Sequence, residues 1–163
     1  IVKKRILDYG FDKENIERLV KLFKVSVVRF SELNETSAGA RVLIMDNIGM
    51  LSSAYRYAYI SAIGGGFGKG IHNMLEPACW GIPVMFGPGY KKFREAVELK
   101  ASGGAKSFVT YAEFELILTE WLSESDKYFA SAKVAGDYVK QNIGATDIII
   151  KEICRKDINK EGS

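Results

Sequence analysis

The residues best suited to chemistry lie in one loop, GGGFGKGIHNMLEP, at 64–77. Glycine loses much conformational freedom on folding, so a glycine cluster indicates tight turns or a close approach of the backbone to another group. Lys69 and His72, the only histidine of the chain, could donate hydrogen bonds to an anion. Glu76 could accept hydrogen bonds from vicinal hydroxyls, as on a ribose. Together these residues would form a nucleotide site.

The loop does not fit the two common phosphate-binding motifs. Gly68-Lys69 is followed by glycine instead of the Ser or Thr of a Walker loop, and the G-x-G-x-x-G pattern fails in every register. The free N–H groups at the start of the next helix are a more general anion site. Pro77 has no N–H and is favoured in a first helical turn, so this helix should begin near 73–76.

Simpler interpretations of the same residues remain open. Asn73 and Glu76 have the spacing of a capping box and would then only begin a helix. His72 would be structural or merely exposed, Lys69 a solvated charge, and the GPG sequence at 87–89 a bare turn. A single histidine and two distant cysteines do not form a usual zinc site, and we expect no metal. Without a G-x-S-x-G elbow or a second histidine, the chain also lacks a hydrolase triad.

The elements that must position this loop alternate between apolar runs and helical patterns, which predicts an α/β fold with a parallel sheet. The predicted strands are 25–30, 42–46, 59–65, 82–87 and 106–110. The predicted helices are 12–23, 47–58, 74–81, 90–102, 111–123, 125–142 and 146–156. Ligands bind at the carboxyl ends of parallel strands. We therefore expect the loops 46–49, 64–76 and 87–93 to gather at one edge of the sheet.

Composition is that of a soluble globular protein, with 163 residues, 47% hydrophobic and 26% charged. The net charge of +3 is too small, and its basic residues too dispersed, to indicate nucleic acid, although it suits an anionic small ligand. Cys79 and Cys154 lie too far apart in sequence to suggest a disulfide framework, which favours a reducing compartment. Cys79 lies in an apolar helical stretch and is predicted to be buried.

The chain contains no run approaching the ~20 apolar residues that span a bilayer, and no signal peptide is visible. It starts at Ile1, in a sequence typical of the interior of a protein. We expect one domain over 1–157, taken from a longer protein, and a frayed tail over 158–163.

The run GGGFGKGIHNMLEPACWGIPVMFGPGYKKFREA at 64–96 resembles the C-terminal half of the 3-deoxy-D-manno-octulosonic acid (Kdo) transferases, in the form typical of Bacteroides-like bacteria. The run VLIMDNIGMLSSAYRYAYISAI at 42–63 is similar to the strand–loop–helix–strand that precedes the glycines in that family. The combination of GGG, HN, LEPA and GP at these spacings is specific, whereas each piece alone is weak.

The resemblance implies a Rossmann-like parallel sheet flanked by helices, the C-terminal half of an inverting GT-B glycosyltransferase. In that family this half holds the donor, CMP-Kdo, without a cofactor. An N-terminal domain holds the lipid A precursor and supplies the catalytic carboxylate for lipopolysaccharide biosynthesis. We therefore expect no catalytic residue in this chain and no activity of the chain alone. The full-length protein would act at the cytoplasmic face of the bacterial inner membrane, this fragment being soluble and without a nucleic-acid partner.

The resemblance also assigns donor-binding positions to three loops. The loop after VLIMD lies where the cytosine should rest, the glycine loop and the HN pair approach phosphate and sugar, and Glu76 falls where related enzymes bind ribose. The implied donor-binding residues are Gly49, Gly64, Gly65, Gly66, Lys69, Gly70, His72, Asn73, Glu76, Gly87 and Pro88. The chain departs from the family at Lys92, where many members carry Asn. It also lacks the second glutamate of GT-B donor sites, because positions 83 and 84 are Pro and Val.

Two other functions stay open on the sequence. One is a GT-B glycosyltransferase domain that uses a UDP- or GDP-sugar. The other is a nucleotide-binding module that kept the fold without catalysis. A panel of nucleotides separates the three possibilities.

Overall fold

The computed structural model describes residues 5–8, 13–47, 49–68, 70–144 and 149–153. The chain divides between Ala54 and Tyr55 into two compact units. We call them the N-terminal unit and the C-terminal unit and describe each by itself.

The N-terminal unit is built on a three-stranded parallel sheet in the order β1-β3-β2. Its elements are β1 (Arg5–Asp8), α1 (Lys13–Leu22), β2 (Val27–Arg29), β3 (Val42–Met45) and α2 (Leu51–Ala54), with 3-10 helices at Phe30–Glu32 and Glu35–Gly39. The central strand is apolar throughout, and its Val42 and Ile44 are buried with Ile16 of α1. This core explains why α1 forms: its apolar residues recur at helical spacing on one face.

The C-terminal unit carries a second three-stranded parallel sheet, in the order β4-β5-β6. Its elements are a 3-10 helix (Tyr55–Tyr57), β4 (Ser61–Ile63), α3 (Leu75–Cys79), β5 (Val84–Phe86), α4 (Arg94–Ser102), β6 (Ala105–Ser107), α5 (Tyr111–Ser123) and α6 (Ser125–Gln141). Residues 149–153 are also helical.

The central strand β5 divides the core of this unit into two layers. Side chains alternate across a strand, so Val84 and Phe86 pack in one cluster while Met85 packs in another. The first cluster includes Leu99 of α4, and the second includes Trp121 of α5. All five side chains are buried, which places helices on both faces of the sheet.

Local signals set the ends of two helices. α4 ends at Gly103, which has φ +91°, the left-handed cap expected of the Gly-Gly pair. α5 begins with a capping box: the Glu113 N–H donates to Thr110 Oγ1 (3.2 Å), and Glu113 Oε2 accepts from the Thr110 N–H (3.3 Å). The predicted helix at 111–123 is confirmed with its bounds, and the one at 125–142 ends one residue earlier.

The α/β class with parallel strands flanked by helices is confirmed. The helix predicted over 90–102 begins only at Arg94, and three larger details differ from the prediction. The described strands pair as two sheets instead of one, since β3 and β5 are each central to a separate ladder. β1 was not predicted, because RILD is short and half charged. The helix predicted over 47–58 is one turn of α2 followed by 3-10 helix. The single domain predicted over 1–157 stays a prediction.

The prediction that Cys79 is buried is wrong. α3 has only five residues, and its buried side is formed by Pro77 and Ala78. Cys79 is exposed, and its thiol donates to the carbonyl of Glu76 at 2.9 Å. Cys154, the predicted start of 12–23 at Asp12 and the predicted tail 158–163 lie outside the described residues. In the part of the chain that is described, the helices are too short or too polar to cross a bilayer.

Candidate functional site

Two of the three predicted loops meet at one edge of the C-terminal unit. The glycine loop, residues 64–73, connects the carboxyl end of β4 to α3, and the GPG turn, residues 87–89, leaves the carboxyl end of β5. Because β4 and β5 are parallel neighbours, both loops lie at the same sheet edge. This is where ligands bind in α/β folds.

The glycine loop and the GPG turn touch through their backbones, along what we call the glycine seam: Gly66, Gly87 and Gly89. A Cβ atom on Gly66 would lie 2.7 Å from both Cα and N of Gly87, and one on Gly89 would lie 2.7 Å from the Gly66 carbonyl oxygen. The Gly89 N–H donates to that oxygen at 2.8 Å. No side chain fits between the two loops, so these three glycines are explained by loop packing.

The rest of the glycine loop folds back on itself. The Gly68 N–H donates to the Gly65 carbonyl at 2.9 Å, and Gly65 has φ +85°. Gly70 has φ +145°, and a Cβ there would lie 2.7 Å from the Phe93 ring. Gly64 differs from all of these, because it is exposed and a Cβ on it would meet nothing within 4 Å. A ligand could therefore approach the backbone at Gly64 without meeting another part of the loop.

His72 is exposed and lies beside the turn at Gly65. The backbone N–H of His72 donates to the Gly64 carbonyl at 3.2 Å, and a Cβ on Gly65 would lie 3.2 Å from the Nε2 atom of the imidazole. The imidazole is therefore held near the glycine backbone and faces solvent. Lys69, the other predicted donor, lies outside the described residues.

Asn73 and Glu76 are bonded to each other at the start of α3. Asn73 Oδ1 accepts from the Leu75 N–H at 3.0 Å, and Asn73 Nδ2 donates to Glu76 Oε1 at 3.1 Å. The capping box that the spacing allowed is not formed, because the N-cap residue is Met74 and makes no side-chain cap hydrogen bond, while Glu76 binds the side-chain amide of Asn73 instead of a backbone N–H. The helix begins at Leu75, with Pro77 in its first turn as predicted.

The short length of α3 changes where an anion would be held. A helix macrodipole depends on aligned peptides, and α3 has five residues, the first N–H of which is taken by Asn73. Glu76 is half-buried beside the hydrogen bond between Asn73 and the Leu75 N–H. An anion at this edge would therefore depend on the loop backbone and on His72 more than on the helix.

The third predicted loop, 46–49, follows β3 in the N-terminal unit. Asp46 accepts hydrogen bonds from the Ser31 N–H at 2.9 Å and from Ser31 Oγ at 2.6 Å. Burial raises the pKa of Asp46, but the bonds from Ser31 outweigh it and leave the pKa below its ordinary value. Gly49 is exposed with φ +90°, and Ile48 lies outside the described residues.

Sequence reasoning missed a polar cluster on α4 and α6. Glu98 accepts from Arg94 Nε at 2.6 Å and from the Tyr138 hydroxyl at 2.7 Å. Burial, with the hydrogen bond to Glu98, raises the pKa of Tyr138 to about 12. The cluster borders a cavity of about 330 Å³ that also touches Leu75. The Arg94–Glu98 spacing is visible in the sequence, but nothing there brings Tyr138 to it.

The site residues form no recognisable metal centre. Over the ranges that the structure describes, no three His, Cys, Asp or Glu side chains lie close enough to hold a metal ion. The expectation that donor binding needs no metal or cofactor remains a prediction.

Part of the chain is similar in sequence to known proteins. A 3-deoxy-D-manno-octulosonic acid transferase of Aquifex aeolicus is 42% identical over 85 residues, which are 50% of this chain and 24% of the relative. One of Chlamydophila psittaci is 33% identical over 94 residues, 56% of this chain and 22% of the relative. The predicted resemblance to the Kdo transferases is confirmed. This chain spans about a quarter of the length of these relatives. No protein-family model matches it.

A solved structure supports the fold. The crystal structure of the C-terminal CMP-Kdo binding domain of WaaA from Acinetobacter baumannii superposes with a TM-score of 0.62 and 16% identity. The match covers 81% of this chain and 89% of that domain. This likeness confirms the fold expected from the resemblance.

Proposed function

We propose that this chain is the donor-binding domain of a Kdo transferase, which moves Kdo from CMP-Kdo to a lipid A precursor in lipopolysaccharide biosynthesis. One observation carries the proposal. The motif residues that resemble the family, spread over 64–89, come together at the carboxyl edge of β4 and β5. The similarity to relatives named as Kdo transferases supports the choice of donor.

The polar side chains and the open backbone at this edge each have a chemical role in the proposal. Asn73 binds one oxygen of Glu76, and the carboxylate retains further lone pairs for two ribose hydroxyls. His72 and the loop backbone would donate to the phosphate of CMP, where negative charge develops as CMP leaves. Gly64 offers the open backbone that a close ligand needs. Gly65, Gly66, Lys69, Gly70, Gly87 and Pro88 complete the proposed donor site on the C-terminal unit. Gly49 lies in the N-terminal unit, and its part in donor binding stays a separate prediction.

The proposed reaction is a direct displacement with inversion at the anomeric carbon of Kdo. The bond from that carbon to the phosphate oxygen breaks, a bond to an acceptor hydroxyl oxygen forms, and the electron pair leaves with CMP. The base that takes the hydroxyl proton would come from a domain that this chain does not contain. The chain alone would bind the donor without catalysis. The complete enzyme would meet its lipid acceptor at the cytoplasmic face of the inner membrane.

Calorimetry with a nucleotide panel tests the proposal. We expect CMP to bind at least about tenfold more tightly than UMP or GMP, since loss of a satisfied polar contact to the base costs this much or more. No binding of CMP at millimolar concentration would contradict the proposal. Preference for UDP or GDP would indicate another GT-B donor, and a melting temperature unmoved by any nucleotide would favour a non-catalytic module.

The variant Glu76→Gln tests, in the same calorimetric assay, whether CMP binds at Glu76. Glutamine keeps an acceptor for Asn73 but loses the charge, so we expect CMP affinity to fall about tenfold. Glu120→Gln is the matched control, because Glu120 is also half-buried but lies on α5 beside Lys106. Equal affinity of the two variants would remove Glu76 from the proposed site.

A further inference from the structure

Phe67 occupies an unusual position in the glycine loop. Its side chain is 64% exposed, although it is large and apolar. Its ring nevertheless contacts two other segments of the same sheet edge, the GPG turn after β5 and Phe108 after β6. The chain places an aromatic ring where three strand ends meet.

The contact with the GPG turn is direct. A Cβ on Gly87 would lie 2.7 Å from Cε2 and 2.8 Å from Cδ2 of Phe67, so the ring lies over the Gly87 Cα. The same turn meets the glycine loop through the Gly89 N–H and the Gly66 carbonyl. Phe67 thus closes over the glycine seam from the solvent side.

The contact with Phe108 ties the ring to the core. The ring centroids of Phe67 and Phe108 are 5.5 Å apart with an interplanar angle of 51°, in the range of favourable aromatic pairs. Phe108 is fixed in turn, because its N–H donates to the Phe86 carbonyl at 2.9 Å and its ring meets Phe114 of α5 edge-on at 5.2 Å.

We propose that Phe67 is a positioning residue of the donor site, whose ring holds the glycine loop onto the GPG turn and Phe108 in the donor-free protein. The role of this loop in binding rests on the proposed function, whereas the positioning is a property of the protein alone. Phe67 acts through the loop backbone, so it is not a catalytic residue.

The loop needs such an anchor because of its composition. Glycines at 64, 65, 66, 68 and 70 give the unanchored loop many accessible conformations. A backbone hydrogen bond from the Gly89 N–H to the Gly66 carbonyl links the loop to the GPG turn. Loss of the ring should therefore let the seam open far more often. Since the side chain is mostly exposed, the global melting temperature should move by about 2 °C at most.

Amide hydrogen exchange in the donor-free protein tests the positioning directly. In Phe67→Ala we expect the Gly89 amide to exchange about tenfold faster than in the wild type, because opening of the seam breaks its hydrogen bond to the Gly66 carbonyl. Phe67→Tyr keeps the ring and should restore slow exchange. Phe129→Ala is the matched control: Phe129 is 63% exposed, with its ring 5.2 Å from that of Tyr128 on α6. It should leave exchange of the Gly89 amide unchanged.

CMP affinity provides the second measurement. If the binding-competent loop falls to about a tenth of the population, apparent affinity falls about tenfold in Phe67→Ala, and Phe67→Tyr recovers it. Unchanged exchange at Gly89 in Phe67→Ala, or no recovery in Phe67→Tyr, overturns the inference whether or not CMP binds. Faster exchange in a protein that binds no nucleotide supports the positioning and overturns the proposed function.

Discussion

Replacing Gly66 by alanine should separate the two loops of the candidate site. The new Cβ would lie 2.7 Å from the Cα and N atoms of Gly87, whereas ordinary contact begins at 3.4 Å, so the GPG turn must move by about 0.7 Å. The obstacle is backbone, which cannot rotate away as a side chain can. Overpacking of this kind costs about 1–3 kcal/mol. Weakening the bond from the Gly89 N–H adds about 1 kcal/mol.

A change in the unfolded state partly offsets this loss of stability. Alanine restricts the unfolded chain more than glycine does, which stabilises the folded protein by about 0.4–1 kcal/mol. We therefore expect Gly66→Ala to lower the free energy of unfolding by about 1–3.5 kcal/mol. For a chain of this size, that is a fall in melting temperature of about 3–10 °C.

Gly64→Ala is the control within the same loop. A Cβ on Gly64 meets nothing within 4 Å, and its φ lies outside the left-handed region. Its stability should therefore equal or slightly exceed that of the wild type. Urea unfolding followed by circular dichroism measures both variants. If Gly66→Ala unfolds within about 0.5 kcal/mol of Gly64→Ala, the seam does not constrain the loops as the distances imply.

Three further predictions concern single contacts. Asn73→Ala should cost about 1 kcal/mol in urea unfolding, because the Leu75 N–H loses its hydrogen-bond acceptor, while Asn73→Ser should retain most of the stability. Equal loss in both variants would show that this hydrogen bond is not the cause. A hydrogen bond from Lys106 lowers the pKa of Glu120 below its ordinary 4.5, so its contribution to stability is present above that pH and is lost as pH falls through the lowered folded pKa. The stability difference between wild type and Glu120→Gln should accordingly shrink as the pH falls below the ordinary glutamate pKa of 4.5, and a constant difference would argue against this ion pair. Cys79 should react with a thiol reagent in the native Cys154→Ser variant, because it is exposed; reaction only after unfolding would contradict its position.

The parts of the fold that the sequence predicted well have strong local signals. α5 and α6 show sustained apolar periodicity, and α5 carries the T-x-x-E capping box in its first turn. β5 is an apolar run bounded by proline and glycine, and it is buried on both faces. In these segments local propensity and tertiary packing favour the same structure, which makes them predictable.

The wrong predictions of secondary structure and burial concern segments whose conformation depends on tertiary contacts. The pattern around Cys79 is apolar and helical, but α3 ends after five residues, so Cys79 never reaches the core. The helix predicted over 47–58 requires a regular backbone at Gly49, which instead has φ +90°. The strand β1 has its partner in β3, more than thirty residues along the chain, and its short sequence shows no alternation of its own.

The candidate site was predicted as a set of residues but not as a geometry. The resemblance places Gly64, Gly66 and Gly87 alike near the ligand, whereas the distances divide them into two groups. Gly66 and Gly87 are buried and face each other. Gly64 is exposed, as is His72. Sequence alone does not separate these groups, because the packing partners belong to different loops.

Substitutions of the buried glycines and of the exposed His72 should differ in their effects on stability and affinity. A substitution in the glycine seam should lower stability and donor affinity together, because it moves the backbone on which the site is built. A substitution of His72 should lower affinity alone, since its side chain is exposed and its hydrogen bond to the Gly64 carbonyl is made by the backbone N–H. Affinity lost without stability therefore identifies a ligand contact in this loop, and affinity lost with stability identifies a residue that shapes it.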